Sequence, residues 1–511
     1  MLFGNYSFFS NVTDIYPLNA KNSFFLVSLA ITFSCAAILL LSLACFKYTI
    51  KPILIIVLIA SAASSYFMDT YNVIISDEMI DNVVQTNFKE AVDLITIKFI
   101  LYLILLGVIP SVFVYKQKLA FFSLKRALFS RVKLFIIAVM IMVVTILSLG
   151  THYTSFIREH KVLRYYSNPS FYIYSLGKYL GRSFKGKVGP LKKIALDAKI
   201  PVSDDRRKIV VLVVGEAARA DRFSLNGYQR ETNPLLKNEA LYNFKNFSSC
   251  GTSTAYSVPC MFSMQGRSDF DISSASNTEN LLDILKRAGV NVIWLDNNSD
   301  SKGVARRITY KSYSSKKVNP VCDPECRDVG MLSEIPQYIA QNPKGDILIV
   351  MHQMGNHGPA YYKRYPSDFE KFKPTCKTNQ IEKCSDDEIK NTYDNVILYT
   401  DYFLSRTIQM LKKYNENFDT SLIYASDHGE SLGEGGLYLH GLPYFMAPTE
   451  QTHIPAIMWF SESFKSKILQ SSSLALNIDK QYSHDNIFHT ILGIFNVITD
   501  VYKKELDLTK Q

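Results

Sequence analysis

The chain has 511 residues, enough for more than one domain, and 48% of them are hydrophobic. That fraction is ordinary, but its concentration in a few charge-free segments argues against a single soluble core. The formal net charge of +10 does not point to nucleic acid. Much of the excess flanks apolar segments, where it suits anionic lipid headgroups.

Taken in chain order, residues 23–46 and 52–68 carry no charge, residues 94–115 carry only Lys98, and residues 134–151 again carry none. A spanning helix needs roughly 20 mainly apolar residues, so residues 1–151 read as a transmembrane domain of four spans. Spans one and two are joined through Lys47 and Lys51. Spans three and four are joined through Lys116, Lys118, Lys125, Arg126, Arg131 and Lys133. Spans two and three are joined by an acidic link that includes Asp69, Asp77, Asp81 and Asp93. Basic links stay cytoplasmic, which puts the N-terminus and everything after Thr151 outside. The first residues lack the basic stretch and apolar core of a cleavable signal peptide.

Residues 152–205 read as a connector. Residues 160–179 are rich in Tyr, Phe and Arg and suit a membrane surface, and residues 181–190 form a basic, Gly-rich loop with Lys185 and Lys187. Residues 206–511 read as an α/β catalytic domain. Strands are expected at 208–214, 290–295, 347–351, 421–425 and 455–460, and helices at 280–288 and 389–414. Their alternation predicts a mostly parallel sheet covered on both faces.

Six cysteines fall in this external part, as Cys250 and Cys260, Cys322 and Cys326, and Cys376 and Cys384. An oxidising compartment favours disulfides, and proximity favours these three pairs.

The motifs follow the expected strands. Glu216 comes directly after the first, His352 and His357 after another, and Asp427 and His428 after a third. Ligands of open α/β sheets bind outside the carboxyl ends of the strands, so these groups form one constellation. Zinc takes carboxylate oxygen and imidazole nitrogen, usually with four ligands. Glu216, Asp427 and His428 supply three. A hydroxyl from the Ser249-Cys250-Gly251-Thr252-Ser253-Thr254-Ala255-Tyr256-Ser257 segment would supply the fourth and act as nucleophile. Residues 256–261 are expected to start a helix whose amides favour a phosphate. The turn with Asn298, Ser299 and Lys302 suits a phosphate or ethanolamine group. His484 and His489 read as surface or packing residues.

Cys250-Gly251-Thr252-Ser253-Thr254-Ala255-Tyr256-Ser257-Val258-Pro259-Cys260, Val213-Val214-Gly215-Glu216, His357-Gly358-Pro359 and Ser426-Asp427-His428-Gly429-Glu430-Ser431 together resemble the phosphoethanolamine transferases that modify lipid A, including the mobile colistin resistance enzymes. The resemblance covers most of the chain and is strongest over residues 206–500. It implies an alkaline-phosphatase- or sulfatase-like fold in the periplasm, anchored in a bacterial inner membrane. It implies zinc, one ion or two, bound by Glu216, Thr254, Asp427 and His428, with Thr254 as nucleophile. His357 and His440 would hold a second zinc or contact the phosphate. Asn298, Ser299, Lys302 and His352 would line the donor headgroup site.

The implied reaction moves phosphoethanolamine from phosphatidylethanolamine to a lipid A phosphate through a phosphothreonine intermediate. This would lower surface negative charge and confer polymyxin resistance. A monomer and no nucleic-acid partner are expected. The family usually has five spanning helices beginning in the cytoplasm, so a further helix is expected before Met1.

Two kinds of alternative stand beside this. One is the same chemistry on a core sugar or protein, or a related phosphoglycerol transferase, phosphodiesterase or sulfatase. A sulfatase would need a Cys/Ser-x-Pro-x-Arg sequence, and Ser257-Val258-Pro259-Cys260-Met261 lacks the Arg. The other is a catalytically dead lipid-binding protein, which should lack a ligand or the nucleophile. None is missing.

Overall fold

A computed structural model describes residues 3–86, 88–119, 123–186, 190–202, 206–323, 325–469 and 478–510. The chain forms two compact units, Met1–Ile80 with Ile95–Tyr179, and Asp81–Leu94 with Leu180–Gln511.

The first unit holds four helices long and apolar enough to cross a membrane, Ala20–Ser42, Ile50–Tyr71, Ile97–Lys116 and Lys125–Ser148. The first starts before its charge-free segment, because the Asn19 side chain caps it by accepting the Asn22 N–H at 3.0 Å. It also ends earlier, at Ser42, since lack of charge marks where chain tolerates hydrocarbon rather than where a helix stops. The third carries a wide turn at Leu103–Val108 just before Pro110. A proline ring lacks an N–H and crowds the preceding turn, and widening relieves both. Gly107 sits where an added Cβ would lie 3.3 Å from the Ala62 Cβ, so helices two and three approach closely.

A buried polar knot ties this unit's ends together. Asn5 Nδ2 donates to Asn168 O at 2.7 Å, and Asn168 N donates to Asn5 Oδ1 at 2.8 Å. Asn168 Nδ2 lies 2.9 Å from Gly4 O, Ser61 O and Ser65 Oγ.

The connector is divided between the units. Its helix Ser170–Gly186 continues through Gly181, where the sequence reads as a loop. One glycine costs a helix only about 1 kcal/mol, and Arg182 pairs with Asp81 at 3.2 Å. Lys187 lies outside the described residues. The acidic segment Asp81–Leu94 belongs to the second unit, where Asp93 pairs with Lys363 and Arg364.

The second unit is built on an eight-stranded sheet. Its strands are β1 (Lys208–Gly215), β2 (Leu241–Ser248), β3 (Asn291–Asp296), β4 (Thr309–Ser312), β5 (Ile347–His352) and β6 (Asp419–Ser426). A short hairpin, β7 (Ser431–Leu432) and β8 (Tyr438–Leu439), stands apart, and β9 (His453–Phe460) and β10 (Gln481–Ser483) complete the set. The order is β10-β2-β9-β6-β1-β5-β3-β4. In this eight-stranded sheet the pairs made by β9, with β2 and β6, are antiparallel and the other described pairs are parallel. Strands β1, β5 and β6 are buried throughout, as their unbroken apolar runs require.

Register positions the site. Gly215 pairs with Ser426, Val214 with His352, and Asp296 with His352. The residues after β1, β3, β5 and β6 therefore emerge at one edge. Four helices matter here: α1 (Thr254–Met261), α2 (Leu281–Arg287), α3 (Asp386–Lys412) and α4 (Asp485–Ile494). Capping boxes start α2 at Asn280 and α3 at Ser385. Disulfides join Cys250 to Cys260, Cys322 to Cys326 and Cys376 to Cys384.

Replacing Asn168 by Ala removes the side-chain amide that satisfies three groups in the first unit. Each buried group left without a partner costs about 1–3 kcal/mol, so we expect a clear drop in thermal unfolding temperature in detergent. An unchanged midpoint would show that the knot contributes nothing.

Candidate active site

Glu216 is the first residue beyond β1, and Asp427 and His428 are the first beyond β6. All three are fully buried. The turn after Glu216 puts Ala217 at φ 51, an uncommon conformation for a residue with a Cβ. There the Ala217 N–H donates to Asp427 Oδ1 at 3.1 Å, so the turn is held by the carboxylate it faces. Gly355, at φ +45, lets the loop after β5 close on the same turn. A Cβ there would meet Glu216 O at 2.9 Å.

Thr254 opens α1 and is buried. Its Oγ1 donates to Glu216 Oε2 at 3.1 Å and lies 3.4 Å from His428 Nε2. His428 Nε2 lies 3.5 Å from Glu216 Oε1 and 3.4 Å from Asp427 Oδ2. His428 Nδ1 donates to Gly429 O at 2.8 Å, which leaves the Nε2 lone pair facing the cluster.

Each carboxylate is half satisfied. Glu216 Oε2 also accepts from Asn298 Nδ2 at 2.8 Å, and Asp427 Oδ1 accepts the His428 N–H at 2.7 Å. Among the described residues nothing donates to Glu216 Oε1 or Asp427 Oδ2, though both are buried. Burial and then the neighbouring Asp427 push the Glu216 carboxyl up, and burial likewise pushes up Asp427. Burial pushes the His428 imidazole down to about 4, so it is neutral at pH 7. Two buried carboxyl groups, each with an oxygen that no described group donates to, and a neutral imidazole, with candidate ligand atoms within 4.8 Å of one another, fit a divalent cation.

Beside this cluster lies His440, its ring centroid 4.2 Å from that of His428 and 6.3 Å from that of His357. His440 Nδ1 lies 3.2 Å from Glu430 Oε2. Burial pushes the Glu430 carboxyl up to about 8 and lowers both histidines.

In the turn after β3, Lys302 Nζ donates to Ser299 Oγ at 2.8 Å. Asn298 faces inward, where its Nδ2 also donates to Gln353 O at 2.7 Å. His352 is fully buried, with Nδ1 3.1 Å from Asp296 Oδ2, which also accepts the Trp294 indole N–H at 2.8 Å. Thr254, Glu216, Asp427, His428, His357 and His440 thus share one edge of the sheet.

Several contributors were not legible in the sequence. Asp328 accepts Asn297 Nδ2 at 2.8 Å and the Met354 N–H at 2.9 Å, joining the loops after β3 and β5. No spacing links it to either. His484 and His489 are both buried, not on the surface. His489 accepts the Lys503 N–H at 3.2 Å, a local packing contact.

The Phosphoethanolamine transferase EptA/EptB family profile matches residues 33–184, and the Sulfatase profile matches residues 208–497. The chain is 42% identical to Phosphatidylethanolamine transferase Mcr-1 of Escherichia coli, over 98% of this chain and 93% of that protein. The integral membrane lipooligosaccharide phosphoethanolamine transferase A of Neisseria meningitidis superposes with a TM-score of 0.94 at 35% identity, covering 99% of this chain and 95% of that one. The C-terminal periplasmic domain of phosphoethanolamine transferase EptC from Campylobacter jejuni gives 0.57 at 45% identity, covering 63% and 97%.

Asn298 holds a carboxylate that faces the cluster. Asn298→Ala is expected to weaken affinity for a divalent zinc ion about 10- to 100-fold, read by competition with a chromophoric chelator. Equal affinities would rule out this role.

Proposed function

The chain belongs to the phosphoethanolamine transferase family, and on that premise we propose that it transfers phosphoethanolamine from phosphatidylethanolamine to a lipid A phosphate. Relatives named as a phosphatidylethanolamine transferase and a lipooligosaccharide phosphoethanolamine transferase support a phospholipid donor and an acceptor of the lipooligosaccharide class. The reading places the enzyme in a bacterial inner membrane as a monomer, with its catalytic unit in the periplasm. The periplasmic relative supports that location.

The observation that carries the mechanism is the Thr254 hydroxyl, within hydrogen-bonding reach of both Glu216 and His428. Thr254, Glu216, Asp427 and His428 would hold zinc, which supplies Lewis acidity and stabilises charge on the phosphoryl oxygens. Thr254 Oγ1 forms a bond to phosphorus as the bond to the diacylglycerol oxygen breaks, and the hydroxyl proton ends on the departing alcohol. An oxygen of a lipid A phosphate then attacks the same phosphorus, and Thr254 recovers its hydroxyl. A second zinc would fall to His357 and His440, or these two would contact the phosphate directly.

Ser299 and Lys302 would face the donor headgroup, with Asn298 and His352 behind them. The added ethanolamine offsets lipid A charge and weakens binding of polycationic peptides such as polymyxin.

The test uses the purified full chain and a fluorescent phosphatidylethanolamine. Diacylglycerol release should need zinc, stop with a strong chelator and return when zinc is restored. Thr254→Ala should abolish it, a loss of at least about 10³-fold given the weight of nucleophile and electrostatics together. Intact mass should show phosphoethanolamine on the native chain only. Release by Thr254→Ala at the native rate would refute the phosphothreonine route.

A further inference from the structure

His484 lies between β10 and α4, more than 50 residues after the metal-binding motif. Its backbone N–H donates to Ser248 O at 3.1 Å, which extends the pairing of β10 with β2. The ring is buried beside Phe247, at a centroid distance of 6.1 Å.

Both ring nitrogens are engaged. The Cys250 backbone N–H donates to Nδ1 at 3.0 Å. An amide can only donate, so Nδ1 carries no proton and Nε2 carries it. Nε2–H accordingly donates to Ser426 O at 2.9 Å. Burial pushes the imidazole pKa down to about 4, so this neutral form persists across the working range.

The two backbones so joined are the ones the chemistry needs in register. Cys250 begins the loop that ends in Thr254, and Ser426 precedes Asp427 and His428. A second link runs parallel to the first. Ser257 Oγ, one turn into α1, donates to Asp427 O and lies 3.3 Å from the same Nδ1. The nucleophile segment therefore meets the ligand strand through one imidazole and one hydroxyl.

We propose that His484 is a positioning residue for the transfer reaction, a neutral imidazole rung that sets Thr254 Oγ1 at the right height above Glu216, Asp427 and His428. It touches neither substrate nor metal. The proposal rests on Thr254 as nucleophile, and a displacement of about 1 Å in such a group can cost about 10²-fold in rate.

Isosteres separate positioning from packing. In His484→Asn, the amide oxygen falls near the place of Nδ1 and keeps an acceptor for Cys250. In His484→Gln, the amide nitrogen reaches toward the place of Nε2 and keeps only the bond to Ser426. The full chain, zinc-loaded in detergent, is assayed for diacylglycerol release with His484→Ala alongside. Zinc content and unfolding temperature are measured on each variant.

We expect His484→Ala to lose about 10²-fold in kcat with KM within about threefold and zinc content unchanged. His484→Asn should recover to within about tenfold of the native kcat, and His484→Gln should stay near the Ala level. A His484→Gln enzyme as active as His484→Asn, or more so, would overturn the proposal. So would a folded His484→Ala enzyme with native kcat. Intact mass of the native enzyme during turnover tests the nucleophile separately. Absence of phosphoethanolamine on Thr254 would refute that reading, whatever the His484 series shows.

Discussion

The structure depends on one electrostatic constraint, two carboxylates buried side by side without a charge to balance them. Glu216 and Asp427 are completely enclosed, and each turns an oxygen toward a point where no described group donates. Burying an unpaired carboxylate is among the costlier things a fold can do. A protein relieves this by protonation, by a cationic side chain or by a metal. Here the near neighbour is His428, whose burial keeps it neutral and whose Nε2 offers a lone pair rather than a proton. Two carboxylates and a neutral imidazole are a donor set that a divalent cation would complete.

Sheet topology makes the constraint unavoidable. Strands β1 and β6 are neighbours, parallel and in register from Lys208 opposite Asp419 to Gly215 opposite Ser426. The next residue on each strand is an acid. Because parallel strands run level, the acids must meet. What the fold adds is restraint. The Ala217 amide bonds Asp427, the Asn298 amide bonds Glu216, and Asp328 gathers the amides of the neighbouring loops. These bonds fix the oxygens that would face a cation, which is the useful form of preorganisation.

Much of this is readable from the residues. Glu216, Asp427 and His428 each follow an apolar, β-branched run, and such runs in α/β chains deliver polar groups to one edge. The paired cysteines are close in sequence, so their partnership needs no tertiary knowledge. Other parts resist reading for physical reasons. Strand β2 has Asn243, Lys245 and Asn246 among its aromatics and a register shift between Phe244 and Phe247, so no clean alternation survives. Strand β10 has three residues, too few for any period. The helix through Gly181 persists because flanking contacts outweigh a propensity penalty. His484 is hidden for a different reason. Its partners are backbone groups of Cys250 and Ser426, 234 and 58 residues away, and no side-chain pattern records a backbone hydrogen bond at such a distance along the chain.

The same need for restraint suits Thr254 to the role of nucleophile in the proposed reaction. Thr254 is the first residue of α1, at a point where backbone amides have no partner within the helix and can face an anion. A serine there would carry the same hydroxyl, but threonine is branched at Cβ and holds fewer rotamers. Its Oγ1 stays on Glu216 and His428 with less entropy to lose. A β-branched side chain fixes only the last bond, however. The loop beneath it must be held too, and it is held at both ends, by the Cys250–Cys260 disulfide along the chain and by the bonds of Cys250 and Ser257 across to the ligand strand. The position of one oxygen is thus set at three levels, by rotamer, by loop and by strand register, and loss at any one of them loosens the other two.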